Sequence, residues 1–318
     1  MSKTILYINI SGYKSLPSGD TLRIISDKAE LISVTDMASS LAALNNISKL
    51  AIMVSNAPVF EIFKLARKKH PKASSILLTS LPMNEYSDAL SGEEDKLLDH
   101  IITNRTSISW TIHELRITIH KILTGDIFGI EKYLSPESQI FKAKITGSSD
   151  REIYNERLML FAESCRLGQH TSKMVYGITE ELLMNAILDA PIAAGKTHYS
   201  KIPTNQAIEL NPEDYGEISY GCDGETFIIS IADPFGALKK ERFLTYLKKV
   251  LRRKTAIDLI DTKKEGAGLG FFKVLYSSHC LVCNVESSKK TEIISIINVK
   301  EQLRDFSTMP RSIHFFSV

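Results

Sequence analysis

The stretch ELLMNAILDAPIAAGKTHY, residues 181–199, carries two overlapping patterns that are each found at nucleotide-binding sites. In the first, Glu181 and Asn185 lie four residues apart, so a helix would place a carboxylate and a carboxamide on one face. In the second, residues 190–197 read APIAAGKT, close to the glycine-rich P-loop that ends in lysine and threonine. The two patterns imply different folds, and the flanking sequence decides between them.

The P-loop pattern stands in the wrong local context. A P-loop follows a strand and opens a helix, because its backbone N–H groups must surround phosphates at a helix N-terminus. Here the pattern comes out of a helix, Ala190 replaces the first glycine, and Pro191 lacks the N–H that the loop would donate. We therefore predict a loop after a helix C-terminus, with Gly195 in a turn.

Glu181 and Asn185 suit a magnesium nucleotide. The neutral carboxamide oxygen of Asn185 is a ligand that Mg²⁺ accepts, and Glu181 can orient a water or take up a proton. Two later segments offer matching chemistry: Asp233 ends a predicted strand, where it can accept a hydrogen bond from an adenine amino group, and residues 265–272 read EGAGLGFF. Glycines before a helix let backbone N–H groups and the helix dipole meet a polyphosphate; they are Gly266, Gly268 and Gly270.

These pieces, in this order, resemble the Bergerat-type (GHKL) ATPase superfamily over about residues 139–299. The superfamily takes in gyrase subunits, histidine kinases and the anti-sigma serine kinases, and the compact domain is most similar to the last of these. The resemblance implies that Asn185 coordinates Mg²⁺, that Glu181 is the catalytic partner and that Asp233 holds the adenine of ATP. It also implies roles in ATP binding for the glycine loop, for Thr291 in the last strand and for Gly236 in the turn after Asp233.

The sequence departs from the superfamily at the adenine box, which is usually DxGxG. Residues 233–237 read DPFGA, so Phe235 and Ala237 occupy the glycine positions and Gly236 lies between them. This departure bears on catalysis more than on binding, and two functions stay open. One is an Mg-ATP-dependent serine kinase acting on a protein partner, a sigma-factor or anti-sigma-antagonist-like regulator. The other is a non-catalytic module whose interaction ATP switches, and a homodimer is compatible with either.

Composition sets outer bounds on the function. The chain has 318 residues, 43% hydrophobic and 24% charged, an ordinary globular balance for about two domains. A net charge of +2 gives no overall attraction to nucleic acid, and no apolar run reaches the roughly 18 residues of a membrane span. Four cysteines are too few for a disulfide framework, so we predict a cytoplasmic protein without nucleic-acid or membrane partners.

The order of predicted elements divides the chain. Over residues 1–124 short apolar strands alternate with helices, which predicts an α/β domain with a parallel sheet. Residues 125–138 form the predicted linker, residues 139–300 an α/β sandwich with a mixed sheet, and residues 301–318 a C-terminal tail. In the second domain we predict helices at 150–167, with Asp150 as N-cap, and 172–190, strands at 206–210, 216–221, 226–232, 280–286 and 291–297, and a hairpin turn at Asp223-Gly224.

Residues 1–124 resemble a response-regulator receiver in their strand spacing. A working receiver needs acidic residues after the first strand, a phospho-accepting aspartate after the third and a lysine after the fifth. Here Ser11-Gly12-Tyr13 follows the first strand and Ser55-Asn56 the third; Thr79-Ser80 fits the switch position, and no lysine follows Thr103 directly. The resemblance therefore implies a pseudo-receiver that serves docking or dimerisation.

Three further patterns have an ordinary structural explanation beside a functional one. His113 in IHELR resembles a histidine-kinase acceptor box, but it falls within the apolar stripe of a helix, where a partly buried structural role is adequate. Cys280 and Cys283 have CxxC spacing, but on a strand they point to opposite faces. The basic segment 239–254 is either a lid that meets phosphate or an amphipathic surface helix, and we favour the surface helix.

Overall fold

The computed structural model describes residues 3–13, 21–23, 28–81, 98–104, 108–203, 205–251, 269–301 and 310–318. The chain divides into two compact units. Unit 1 comprises Met1–Ile127 and Phe306–His314, and unit 2 comprises Phe128–Asp305 and Phe315–Val318. Both contain helices and β-sheet, which confirms the predicted α/β class. Within the described ranges, no helix combines the length and the apolar character that crossing a bilayer requires.

Unit 1 is built on a parallel sheet. Its strands are β1 (Lys3–Ile8), β2 (Ala29–Val34), β3 (Leu50–Ser55), β4 (Ser74–Thr79) and β5 (His100–Thr103), and its helices are α1 (Met37–Asn46), α2 (Phe60–Lys69) and α3 (Ile108–Thr124). The strand order is β2-β1-β3-β4-β5, and each pair is parallel. Because both faces are covered, the central strands are almost continuously apolar and buried, and Ile52, Val54, Leu115 and Ile119 belong to one core cluster.

Unit 2 combines an antiparallel sheet with a layer of helices. Its strands are β6 (Ile140–Ile145), β7 (Gly216–Cys222), β8 (Thr226–Asp233), β9 (Cys280–Glu286) and β10 (Lys290–Asn298), in the order β9-β10-β8-β7-β6. Its longer helices are α4 (Asp150–Ser164), α5 (Gln169–Met184), α7 (Lys240–Leu251) and α8 (Leu269–Tyr276), with α6 a single turn at Ala190–Ala193. The predicted hairpin between β7 and β8 is confirmed: Gly224 has φ +86, and the Asp223 carboxylate accepts hydrogen bonds from the N–H groups of Glu225 and Thr226.

The helix that carries Glu181 is longer than its pattern predicts and changes its winding. A π turn at Asn185–Asp189 joins α5 to α6, and the N–H of Ala190 donates to the carbonyl of Asn185, five residues earlier. Pro191 lacks the N–H that would continue the α-helical ladder to Ile187, and the backbone widens just before it. The π turn therefore follows from the proline that argued against a P-loop.

Two local predictions in unit 2 are wrong. Residues 206–210 form only an isolated bridge between Glu209 and Gly147, because their neighbour is the loop before α4 and gives no ladder to extend. Asp150 is the first residue of α4 and not its N-cap; its carboxylate accepts hydrogen bonds from the N–H groups of Thr146 and Gly147 in the preceding turn.

The segments predicted as the linker (125–138) and the C-terminal tail (301–318) both contain regular structure. In the segment predicted as a linker, Glu131–Tyr133 forms a 3₁₀ turn, and Tyr133 and Leu134 are buried. In the segment predicted as a tail, Ser312–Ser317 forms strand β11, where Ile313 pairs with Ile101 of β5 in unit 1. The apolar side chains of these segments are thereby removed from water, which accounts for their place in the structure.

Candidate functional site

A cavity of about 320 Å³ in unit 2 collects most of the predicted site residues. It is bordered by α5 and the π turn on one side, by the ends of β8 and β10 at its floor, and by α7 and α8. The predicted residues that line it are Glu181, Asn185, Asp233, Gly270 and Thr291. The carboxylate–carboxamide helix and the end of the glycine loop therefore face one shared space.

The floor of the cavity follows from strand register. Asp233 of β8 lies directly opposite Thr291 of β10, and both side chains are buried. Ile231 and Ile293 lie two residues away along the same strands and also line the cavity, since side chains two apart share one face of a sheet. The floor is therefore apolar, with one carboxyl and one hydroxyl at its end.

Burial dominates the electrostatics of Asp233. It raises the pKa of this carboxyl to about 6, although hydrogen bonds from the N–H groups of Phe235 and Gly236 and from the hydroxyl of Thr291 act in the opposite direction. The Phe235 N–H lies 2.9 Å from the carboxylate. Asp233 is thus a hydrogen-bond acceptor at the end of an apolar surface, near its ionisation midpoint at mildly acidic pH.

The glycine of the altered DPFGA turn has a packing role. Gly236 has φ +58, and a Cβ placed on it would lie 2.0 Å from the carbonyl oxygen of Glu286, at the turn between β9 and β10. Gly236 does not line the cavity, whereas Ala237 and Leu238 after it do. The left-handed residue of this turn is therefore Gly236, and its missing side chain makes room for the neighbouring hairpin.

The helical wall presents the carboxamide of Asn185 to the cavity. This carboxamide is half-buried, and no residue of the described ranges hydrogen-bonds to it. Glu181, one turn earlier, is engaged: its Oε1 accepts from Nζ of Lys273 at 2.6 Å. Of the two predicted partners of a metal nucleotide, Asn185 is therefore the one whose oxygen is available.

The start of α8 approaches Glu181 closely. A Cβ added to Gly270 would lie 2.0 Å from Oε2 of Glu181, so the absence of a side chain at 270 lets the carboxylate rest against the first turn of the helix. Lys273, one turn further along, holds the other carboxylate oxygen. Gly266 and Gly268, which were predicted to bind phosphate, lie outside the described residues.

The cavity also has lining residues that the sequence prediction missed. Asp189 lies one turn after Asn185, and Arg242 and Tyr246 come from α7. Partial loss of hydration at the cavity edge raises the pKa of Asp189, the charge of Arg242 opposes that shift and the charge of Glu181 adds to it. Arg242 Nε donates to the hydroxyl of Tyr246 at 2.7 Å. The spacing of Asp189 from Asn185 could have revealed it, because four residues continue one helix face.

The basic segment shows features of both of its interpretations. Phe243, Leu244 and Leu247 of α7 are buried, as in an amphipathic surface helix. Arg242 nevertheless lines the cavity with Tyr246, so part of the basic face points at the candidate site and not only at solvent. Residues 252–254 of this segment lie outside the described ranges.

The P-loop-like stretch forms a helix end, as predicted. The N–H of Lys196 donates to the carbonyl of Pro191 and the N–H of Gly195 to that of Ile192, with Gly195 at φ +88, which together make a Schellman motif. Lys196 Nζ lies 2.8 Å from the buried carboxylate of Asp214. This lysine is therefore committed to an ion pair and not presented to a phosphate.

The remaining candidates occupy structural positions. Asn56, which directly follows β3, accepts from the N–H of Ile10 at 2.7 Å and donates to Oδ1 of Asn9 at 2.9 Å. His113 is half-buried on α3 in unit 1, with Nδ1 3.1 Å from the guanidinium of Arg116. Cys280 and Cys283 lie buried on β9, three residues apart and hence on opposite faces, as predicted.

Comparisons with known proteins leave the family open. No model of a protein family matches the chain, and no curated protein matches it. Among solved structures, one described as the SiaB-SiaC complex from Pseudomonas aeruginosa is similar over 49% of this chain and 88% of that chain, at 14% sequence identity and a TM-score of 0.33. A likeness at that level carries no conclusion about function, so the function must be argued from the site.

Proposed function

We propose that unit 2 binds Mg-ATP in the cavity described above, as the resemblance to Bergerat-type ATPases implies. One observation carries the proposal: Asn185, Asp233 and the first turn of α8 border the same cavity. Adenine would lie on the apolar floor, with its amino group donating to Asp233. The triphosphate would extend toward Asn185 and the helix N-terminus of α8, where backbone N–H groups favour anions.

The residues fit such a ligand in size and in chemistry. A volume of about 320 Å³ lies at the lower end of small-molecule pockets, which span about 300–1,000 Å³, and suits a nucleoside whose phosphates reach the rim. Mg²⁺ binds oxygen, keeps several waters and takes the rest of its ligands from phosphates, so a single protein oxygen is enough. The carboxamide of Asn185, which forms no hydrogen bond with the described residues, supplies that oxygen in our proposal.

Calorimetric titration with the non-hydrolysable analogue AMP-PNP tests the proposal. We expect wild-type protein to bind in the presence of MgCl₂, and Asn185→Ala to bind about ten-fold more weakly or worse, since it loses a contact to a charged group. The effect should shrink in EDTA, because the contact runs through the metal. Asn205→Ala is the matched control, since Asn205 is exposed and outside the cavity. Absence of wild-type binding, or undiminished binding by Asn185→Ala, would contradict the assignment.

Two activities remain compatible with ATP binding. In the first, the protein is a serine kinase of anti-sigma type, Glu181 is the base, and the acceptor is a serine or threonine of a sigma-factor or anti-sigma-antagonist-like partner. Catalysis of this kind consists mainly of positioning and charge neutralisation. In the second, ATP occupancy switches an interaction without phosphoryl transfer.

The ion pair between Lys273 and Glu181 favours the second activity. Oε1 of Glu181 already accepts from the ammonium group of Lys273 at 2.6 Å, so a substrate hydroxyl would have to displace that contact before this oxygen could act as its base. Incubation with ATP labelled at the γ-phosphate separates the two. Release or transfer of the label by wild-type protein, together with loss of that activity in Glu181→Ala, supports the kinase. Label that stays in ATP supports the switch. An acid-labile, alkali-stable label that disappears in His113→Ala would instead identify a histidine kinase.

For unit 1 we propose a pseudo-receiver that docks partners and accepts no phosphate. Its support is the strand order β2-β1-β3-β4-β5 together with Asn56, whose amide is committed to neighbouring backbone and side-chain groups. Incubation with labelled acetyl phosphate tests this: no label should appear in residues 1–127, and label at that unit would contradict the proposal.

A further inference from the structure

Two cysteines of unit 2 meet where helix α4 and strand β7 end. Phe161 of α4 packs on Tyr220 of β7, with ring centroids 5.1 Å apart, and on Phe227 of β8, at 5.5 Å. Cys165 follows Phe161 by one helical turn, and Cys222 follows Tyr220 by two residues, directly opposite Phe227 in the sheet. Because these spacings keep one helix face and one sheet face, the aromatic contacts bring the two thiols together.

A hydrogen bond joins the two thiols, with the S–H of Cys222 donating to the sulfur of Cys165. Both of these cysteines are partly exposed, whereas Cys280 and Cys283 are buried in β9. Cys165 caps the C-terminus of α4, and Cys222 is the last residue of β7. Each therefore lies at the end of an element, where a small backbone adjustment brings the two sulfurs within bonding distance.

The two sulfurs differ in their readiness to react. Burial raises the pKa of the Cys222 thiol to about 12; the hydrogen bond to Cys165 and the charge of that residue add to this shift, and the N–H of Gly224 opposes it. Cys222 therefore keeps its proton at neutral pH. Since the thiolate is the reactive form of cysteine, Cys165 is the sulfur that attacks an oxidant, and Cys222 is placed to attack the oxidised sulfur.

We propose that Cys165 and Cys222 form a reversible disulfide when the protein meets hydrogen peroxide. The Cys165 thiolate attacks one peroxide oxygen, the O–O bond breaks, and the products are a sulfenic acid at Cys165 and hydroxide. The Cys222 sulfur then attacks the sulfur of Cys165, its proton passes to the leaving hydroxyl, and a disulfide and water form. The two thiols lose two electrons to the peroxide, and excess dithiothreitol restores them by exchange.

The bridge closes the loop 165–222, which contains α5 and the π turn and hence the cavity wall with Glu181 and Asn185. Cross-linking a long loop stabilises a fold mainly by restricting the unfolded chain, so the midpoint of urea unfolding should rise by about 1 M on oxidation. The oxidation state of the pair therefore sets the stability of this wall. The proposal does not depend on whether the cavity binds ATP.

Peptide mapping by mass spectrometry tests the proposal on the full chain. The protein is treated with hydrogen peroxide, denatured and alkylated before digestion without a reductant. We expect one linked pair of peptides that contains Cys165 and Cys222, lighter by two hydrogen atoms than the sum of the separate peptides, and separated again by dithiothreitol. Cys280 and Cys283 are the internal controls and should be recovered alkylated, because burial keeps them from the oxidant.

Two conservative variants test the assigned roles. In Cys222→Ser, oxidation should stop at the sulfenic acid of Cys165, which dimedone labels. In Cys165→Ser, Cys222 should stay a thiol without label, and neither variant should gain resistance to urea on oxidation. The proposal is overturned by a wild type that keeps both thiols in peroxide, by a bridge that joins other cysteines or two chains, or by dimedone label on Cys222 in Cys165→Ser.

Discussion

Replacing Asp233 with asparagine should make the protein more stable at neutral pH. Burial raises the pKa of the Asp233 carboxyl to about 6, from about 3.9 in an unfolded chain. At about 1.36 kcal/mol for each pH unit between the two values, ionisation of this group lowers the free energy of unfolding by about 3 kcal/mol. Asparagine keeps an acceptor oxygen for the N–H of Phe235 but carries no charge.

The sign follows from proton linkage. The folded state holds the Asp233 proton more tightly than the unfolded state, so the favourable contribution is complete below about pH 4 and is lost as the pH rises through about 6. The difference in unfolding free energy between Asp233→Asn and wild type should therefore grow from near zero at pH 4 to about 3 kcal/mol near pH 7.

Urea unfolding followed by far-UV circular dichroism at several pH values between 4 and 7.5 measures this difference. The matched control is Asp126→Asn, at an exposed aspartate outside the cavity. A pH-independent difference for Asp233→Asn, or a wild type that is more stable than this variant at pH 7.5, would refute the account of a buried, destabilised carboxylate. The same substitution should weaken AMP-PNP binding, so stability and binding should move in opposite directions.

Three further outcomes follow from the same contacts. If an adenine amino group donates to Asp233, binding lowers the pKa of that carboxyl. Binding of adenosine or AMP-PNP at pH 6 should therefore release protons from the protein, which calorimetry in buffers of different ionisation enthalpy measures. Gly236→Ala should lower the free energy of unfolding in urea by about 2 kcal/mol or more, because the residue has a left-handed backbone conformation and its new Cβ would meet the backbone of the β9–β10 turn. Gly270→Ala should change that free energy by less than about 1 kcal/mol, because its Cβ meets only the flexible end of the Glu181 side chain, but it should weaken AMP-PNP binding. Lys196→Met should lower the melting temperature, because the buried Asp214 carboxylate keeps its hydrogen bond from the Tyr199 hydroxyl but loses the opposite charge. The affinity for AMP-PNP should stay unchanged, and a lost affinity with an unchanged melting temperature would support the P-loop instead.

The parts of the fold that the sequence predicts are those set by local pattern. Apolar runs such as residues 50–54 and 226–232 mark buried strands, and Asp223-Gly224 specifies a hairpin through its backbone preferences. The segment 206–210 shows the limit of such patterns. Its composition suits a strand, but a strand needs a partner, and the adjacent loop offers only one bridge.

The same distinction holds for the candidate site. Glu181 and Asn185 share a helix face by spacing alone, and Asp233 follows from the end of a strand. The ion pair of Lys273 with Glu181 joins residues 92 apart in the chain, and only the packing of α8 against α5 brings them together. The role of Gly236 likewise depends on the approach of the β9–β10 turn, which no local rule contains.

The π turn at Asn185–Asp189 determines which changes of length this part of the chain tolerates. A widened turn accommodates one residue more than an α-helical turn, so removing one residue between 185 and 190 would let the turn close to α-helical geometry while α6 and the glycine-terminated helix end keep their phase. Aligning this segment with an uninterrupted helix therefore requires a one-residue gap, and similarity across the site is hidden from any comparison that does not open it.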